Sequence, residues 1–202
     1  MMKKRVVVII LSLFLMPIVS LGILTATDSL YTKPLPTYGE VPDFNFESSQ
    51  GKMVSRSELY RKVWVAGFVF TNCAGTCPLI MGTMMEIEKT FLFKENFRMV
   101  ALTMDPERDT PKVLRDYAAQ SKADPYKFLF LTGDKRDIQN FVQNGFRLSA
   151  AEDKEEGDIT HSGKLVLVDG YGKIRGYYDR EESGTMKRIK KDIKRLLRET
   201  TY

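Results

Sequence analysis

Cysteine and histidine are scarce in this chain of 202 residues, which contains two cysteines and one histidine. A domain of this size can bury a sizeable apolar core, so its fold does not depend on disulfide bonds. Internal repeats and low-complexity tracts are lacking as well, which excludes a repeat architecture. Because cysteine and histidine are so few, the positions of Cys73, Cys77 and His161 are informative.

The body of the chain also lacks a basic stripe interleaved with aromatic residues. The formal net charge is +5, but the excess basic residues lie in residues 1–30 and in the tail 186–202, so the body between them is slightly acidic. A nucleic-acid-binding domain needs a basic face. We therefore exclude nucleic acid as a partner. We interpret the basic tail as the solvated face of a helix, with contact to anionic lipid or an acidic partner as the alternative.

Long apolar runs are lacking except in residues 6–24, near the N-terminus. As a helix this run would span about 28 Å, nearly the thickness of the hydrocarbon core of a bilayer. Residues 3–5 are basic and should stay in the cytoplasm. Only five residues precede the apolar run, too few for a mitochondrial targeting sequence. A cleaved signal peptide is the alternative, although residues 24–26 fit a cleavage site poorly. We expect residues 1–26 to be an uncleaved, single-pass transmembrane anchor in a bacterial inner membrane, with the remainder in the periplasm.

Residues 27–42 contain three prolines and one glycine with little apolar periodicity. This composition is typical of a linker between a membrane anchor and a folded domain. From residue 43 the pattern becomes globular. The sequence therefore predicts one domain over residues 43–202.

The apolar pattern of residues 43–202 predicts an α/β domain. Strands are predicted at residues 44–46, 63–70, 97–104, 127–131, 164–168 and 174–178, the last two as a hairpin. Helices are predicted after Cys77, after Thr110, after Asp134 and over residues 186–197. This order predicts a thioredoxin-like fold, in which a mixed sheet begins parallel, ends antiparallel and is flanked by helices.

Cys73 and Cys77 lie where the buried strand 63–70 ends and the next helix begins. Binding crevices form at the carboxyl ends of such strands, and a helix N-terminus favours the thiolate form of a cysteine. Two sulfurs at this spacing can form a disulfide or share a metal ion. The Cys-x3-Cys spacing differs from the Cys-x2-Cys of common thiol oxidoreductases. A structural disulfide, a redox pair and a metal-binding pair therefore all stay open on position alone.

His161 favours the metal-binding interpretation, because it precedes the predicted strand 164–168, which should lie near strand 63–70. An ordinary surface or core histidine is the alternative. Two thiolates and one imidazole suit copper(I), and copper(II) accepts this set with an added oxygen ligand. Zinc also accepts two cysteines and one histidine, so the ligand types alone leave zinc open.

Residues 105–111 contain three acidic residues around a turn into a helix. We interpret them as a capped turn, in which Asp109 or Thr110 accepts hydrogen bonds from free backbone N–H groups. The alternative is that Asp105 lies close to the metal site or contacts a partner.

Several methionines lie near the two cysteines in the sequence and could suggest a thioether site for copper. Their spacing matches the buried faces of helices and strands, so we interpret them as core residues. They are Met81, Met84, Met85, Met99 and Met104.

Three motifs together resemble those of the Sco/SenC family of copper chaperones: Thr-Asn-Cys-Ala-Gly-Thr-Cys-Pro at residues 71–78, Thr-Met-Asp-Pro-Glu-Arg-Asp-Thr-Pro at 103–111 and Thr-His-Ser at 160–162. The Asp-Gly-Tyr-Gly turn after the histidine matches too, and the resemblance extends over residues 41–197. It implies a thioredoxin-like fold, an N-terminal membrane anchor, and one copper ion per chain, Cu(I) or Cu(II), held by Cys73, Cys77 and His161. The acidic segment 149–158 departs from the family pattern.

The resemblance implies a metallochaperone that helps mature the binuclear copper centre of cytochrome c oxidase subunit II. The alternative is a membrane-tethered thiol–disulfide reductase that uses Cys73 and Cys77 on the cysteines of that centre. We favour the chaperone, which has no catalytic residues. It would need a copper donor protein and a periplasmic thiol reductase as partners, since a disulfide cannot bind copper(I).

A peroxiredoxin would require Pro-x3-Thr-x2-Cys around its reactive cysteine. Phe70 and Ala74 occupy the proline and threonine positions before Cys77. Ala66 and Phe70 occupy them before Cys73. The sequence therefore argues against a peroxidase.

Overall fold

The computed structural model describes Met16 and residues 33–72, 77–146 and 163–200. The chain divides into two compact units, Met1–Leu35 and Pro36–Tyr202, and the fold that follows is that of the second. The predicted anchor, residues 1–26, lies outside the described residues except for Met16. Within the described ranges, no helix is long and apolar enough to cross a membrane.

The described residues form one eight-stranded mixed sheet flanked by helices. The strands are β1 Gly39–Glu40, β2 Asn45–Ser48, β3 Met53–Ser55, β4 Val63–Val69, β5 Phe97–Thr103, β6 Phe128–Thr132, β7 Lys164–Val168 and β8 Lys173–Asp179. They lie in the order β1-β8-β7-β4-β5-β6-β2-β3. Strands β4, β5 and β6 are parallel, and every other pair is antiparallel. The predicted change from parallel to antiparallel pairing is confirmed.

Two short strands fall where the sequence predicted none. β1 lies within the predicted linker and pairs with β8 through Gly39 and Ile174, and Val41 beside it is fully buried. β3 is an edge strand that pairs with β2. Strands of two or three residues are too short to produce a readable alternation, so only their distant partners define them.

The helices begin where local capping residues predict. Thr110 accepts a hydrogen bond from the backbone N–H of Val113, and Asp134 accepts two from the first turn of its helix. The helix after Asp134 continues into a π-helical turn at Phe141–Gly145, which the sequence did not predict. The helices are α1 Cys77–Phe91, α2 Pro111–Ser121, α3 Lys135–Asn140 and α4 Thr185–Glu199, with a 3₁₀ turn at Arg56–Leu59.

Apolar side chains cover both faces of the central strand β4, all seven residues of which are buried. Trp64 and Phe68 on one face contact Phe146 edge to face, within a large aromatic cluster. On the other face Gly67 lies beneath Met84 of α1, and a Cβ at position 67 would approach the Met84 sulfur to 2.5 Å. The glycine therefore lets α1 pack closely on β4.

Three of the five methionines predicted to be core residues are buried. Met81, Met84 and Met99 are at most 4% exposed. Met104 is partly buried and packs against the aromatic cluster, and Met85 is also partly buried.

The C-terminal helix α4 packs on the sheet through the predicted inner face, in which Ile189, Ile193, Leu196 and Leu197 are buried. Tyr178 of β8 donates a hydrogen bond to Asp192 of α4 at 2.8 Å. Burial raises the pKa of Tyr178, and the hydrogen bond to Asp192 raises it further, so the phenol remains a donor at neutral pH.

Candidate metal site

Two chain segments that the sequence links to metal binding meet at one end of the sheet. β4 runs towards the residues before Cys73, and β7 is antiparallel to it, with Ala66 opposite Val166. The carboxyl end of β4 and the start of β7 therefore lie side by side. Cys73 and His161 themselves lie outside the described residues, one residue after Asn72 and two residues before Gly163 respectively.

Cys77 is the first residue of α1, as the sequence predicted, and Pro78 follows it in the first turn. The first turn contains no acidic residue, so no carboxylate of the helix itself offsets the partial positive charge of its N-terminus. A helix N-terminus is a position at which the thiolate form of a cysteine is generally favoured, and the thiolate is the form that binds metal ions and exchanges disulfides.

A buried carboxylate ties the segment before Cys73 to the neighbouring strand. Asp109 has no exposed surface. It accepts hydrogen bonds from the backbone N–H of Thr71 at 3.1 Å, from the Thr71 hydroxyl at 2.5 Å and from the Thr103 hydroxyl at 2.6 Å. Thr103 ends β5, so one carboxylate connects the residues after β4 with the carboxyl end of β5. The strand ends are also joined directly, since the N–H of Met104 donates to the carbonyl oxygen of Val69 at 2.9 Å.

The structure distinguishes the two capping candidates of the acidic turn. Thr110 is the N-cap of α2, whereas Asp109 reaches across to Thr71, from which it is separated by 38 positions in the chain. Sequence reasoning missed this contact because no local rule pairs residues so far apart. Asp105 is partly exposed and forms an ion pair with Arg108 at 3.4 Å.

A positive group lies beside the start of β7. The backbone N–H of Arg180 donates to the carbonyl oxygen of Gly163 at 3.2 Å. The guanidinium of Arg180 contacts Glu181 at 3.3 Å, while its Nε is buried and has no hydrogen-bond partner among the described residues. The start of β7 therefore has a cationic side chain beside it, which is paired with Glu181.

The residues that the structure describes contain no group of three histidine, cysteine or acidic side chains that could hold a metal ion. Of the predicted ligands, only the backbone of Cys77 falls within them. The structure therefore describes the three segments next to the predicted ligands, which we call the supports of the site. They are the N-terminus of α1 at Cys77, the segment bound to Asp109 and the start of β7.

Comparison with known proteins identifies the family of this chain. The SCO1/SenC family model matches residues 33–198. A SCO1 protein homolog of Bacillus subtilis is 33% identical over 162 residues, which cover 79% of this chain and 83% of that protein.

Solved structures share the fold. BsSco, a member of the Sco family of cytochrome c oxidase assembly proteins with a disulfide switch, has a TM-score of 0.70 at 30% identity, covering 83% of this chain and 98% of that chain. A SCO1/SenC family lipoprotein of Bacillus anthracis has a TM-score of 0.67 at 28% identity, covering 78% and 95%. ScoI of Bradyrhizobium japonicum, solved with copper bound, has the same fold with a TM-score of 0.59 at 24% identity, covering 78% and 99%.

The resemblance of the three motifs is thus confirmed over most of the chain, and with it the α/β, thioredoxin-like arrangement of a mixed sheet flanked by helices. The chain belongs to the SCO1/SenC family.

Proposed function

We propose that this protein is a copper-binding metallochaperone that helps mature the binuclear copper centre of cytochrome c oxidase subunit II. Cys73, Cys77 and His161 hold one copper ion as cargo. The observation that carries the proposal is the meeting of three supports at one end of the sheet: the N-terminus of α1 at Cys77, the segment before Cys73 and the start of β7.

The donor set suits copper chemically. Two thiolates and one imidazole are soft ligands, which copper(I) accepts at low coordination number. The N-terminus of α1 favours the thiolate of Cys77. Both cysteines must be reduced before loading, so a thiol reductase on the same side of the membrane and a copper donor protein are the partners that this chemistry needs.

The second candidate function is thiol–disulfide exchange on the cysteines of the oxidase copper site. It is favoured by the disulfide switch of BsSco and by the position of the cysteine pair at a helix N-terminus. In that reaction the thiolate of one cysteine attacks the partner's disulfide, and the other cysteine then displaces the partner's thiol and leaves a Cys73–Cys77 disulfide. Copper(II) binding requires His161, whereas this exchange does not.

Metal titration of the reduced domain tests the proposal. Residues 31–202 include the whole compact unit from Pro36 onwards, so this fragment is suitable. We expect one copper(I) per chain, and copper(II) binding with thiolate-to-copper charge-transfer absorption. Zinc serves as the competing ion, and displacement of copper by equimolar zinc would contradict the proposal.

For the location we propose a single-pass anchor at residues 6–24 in a bacterial inner membrane, with the copper site in the periplasm. The Bacillus anthracis relative is a lipoprotein, but this sequence has no cysteine before Cys73 that could carry a lipid. The apolar run, preceded by the basic residues 3–5, supplies the membrane attachment instead.

A thiol reagent that cannot cross the inner membrane tests this topology in cells made permeable at the outer membrane. We expect Cys73 and Cys77 of the reduced full-length protein to be labelled in these cells. A cytoplasmic protein with an exposed cysteine is the control and should react only after lysis. Labelling of Cys73 and Cys77 only after lysis would place the domain in the cytoplasm and remove the proposed site of action.

A further inference from the structure

We propose that Asp109 is a positioning residue for the cysteine pair, whose buried carboxylate fixes the chain where it leaves β4 and so pre-organises Cys73 relative to Cys77. This inference rests on the proposed function only in that it treats the two cysteines as one working pair. Asp109 is not one of the proposed metal ligands. The sequence allowed it to be a helix cap, but Thr110 has that role.

The contacts of Asp109 connect three described segments: the residues before Cys73, the end of β5 and the start of α2. Its Oδ1 and Oδ2 accept hydrogen bonds from the hydroxyl and the backbone N–H of Thr71, two residues before Cys73. Its Oδ2 also accepts from the Thr103 hydroxyl at the end of β5. Asp109 directly precedes Thr110, the N-cap of α2. Thr71 is therefore connected through Asp109 to the end of β5 and to the start of α2.

The chemistry at position 109 requires a carboxylate. A fully buried carboxylate is costly unless several donors satisfy it, and Asp109 has no ion pair with a cation in the part of the chain that the structure describes. Three donors converge on it, and two of them belong to Thr71. Asparagine would fill the same space but offers only one acceptor oxygen. Position 109 thus uses both carboxyl oxygens as acceptors to hold Thr71 and Thr103.

A restraint at Thr71 should affect both reactions of the cysteine pair, disulfide formation and metal binding. Cys77 begins α1, and Asp109 holds Thr71, two residues before Cys73. We therefore expect the restraint at Thr71 to limit the positions that Cys73 can take. A restrained segment loses less conformational entropy when the two sulfurs meet, whether they form a disulfide or bind one metal ion. Without the contact between Asp109 and Thr71, both disulfide formation and metal binding should become less favourable.

Asp169 provides a matched control at the opposite end of the sheet. It is buried, accepts hydrogen bonds from the backbone N–H groups of Tyr171 and Lys173, and pairs with Arg175 at 2.7 Å. Asp169 therefore also holds a turn in place with a buried carboxylate, but this turn lies between β7 and β8. Asp169→Ala should lower the melting temperature without affecting the cysteines.

The first measurement uses no metal. The reduced domain is equilibrated with glutathione, so that two protein thiols and one oxidised glutathione give one Cys73–Cys77 disulfide and two reduced glutathiones. We expect Asp109→Ala to lower this equilibrium constant by about three-fold or more. Asp109→Asn should lie between the wild type and Asp109→Ala, and Asp169→Ala should match the wild type.

The second measurement is the affinity for copper(II), followed through the thiolate charge-transfer band. We expect Asp109→Ala to weaken binding by about ten-fold, as loss of an outer-shell partner commonly does. If Asp109→Ala fails to fold, Thr71→Val removes only the hydroxyl contact and should shift both equilibria in the same direction by less.

The outcomes separate this inference from the proposed function. Unchanged equilibria in both Asp109→Ala and Thr71→Val would overturn the inference, as would an equal effect of Asp169→Ala, which would mean general destabilisation. A wild-type domain that binds no copper would contradict the chaperone function, while the glutathione equilibrium would still decide the role of Asp109.

Discussion

Cys77→Ser and Cys73→Ser are each expected to abolish tight binding of both copper(I) and copper(II). A serine hydroxyl is a hard, neutral donor at neutral pH and replaces a soft thiolate, so one of two strong ligands is lost. The loss should exceed the roughly 10- to 100-fold that removal of an outer-shell partner costs. Competition with a chelator of known copper affinity measures the change.

The fold should survive the substitution at position 77. Serine is well tolerated at the start of a helix, and α1 is held on β4 by Met84 above Gly67. Circular dichroism and the melting temperature check this directly.

Met81→Leu is the matched control for the copper titration, because it removes a thioether from a buried position at nearly constant volume. Its copper affinity should equal that of the wild type. If Cys77→Ser kept wild-type affinity while Met81→Leu lost it, copper would be bound by thioethers and the assigned site would be wrong.

The parts of the fold that the sequence predicts well are those governed by short-range patterns. β4 and β5 are apolar along their length because both faces are buried, and each ends within one residue of its prediction. Thr110 and Asp134 follow local capping rules, and the structure finds both in that role.

What the sequence could not predict depends on distant partners. β1 exists because Gly39 meets Ile174, and no pattern in residues 27–42 indicates that contact. Asp109 fits a local capping rule as well as Thr110 does, and only the approach of Thr71 gives it a different role. The identities of the proposed metal ligands come from the motifs, whereas the contact between Asp109 and Thr71 comes from tertiary structure alone.

His161→Ala is expected to separate the two functions that use the same sulfurs. Copper(II) prefers more ligands than copper(I), so loss of the imidazole should weaken copper(II) binding by about 100-fold or more, while copper(I) retains two thiolates. Thiol exchange with a small disulfide should keep its wild-type rate, because it needs only the cysteines. Titration with each ion and a stopped-flow exchange assay measure the three quantities on one variant.

The fold should tolerate this change, since β7 begins after the histidine and is held on both sides by β4 and β8. Ser162→Ala, one position along, is the control for any general disturbance of this segment, and all three quantities should match the wild type. In cells, His161→Ala should impair maturation of the oxidase if the protein acts through copper. If the variant kept full copper(II) affinity and full maturation, the third ligand would be wrong, and the reductase function would explain why Cys73 and Cys77 suffice.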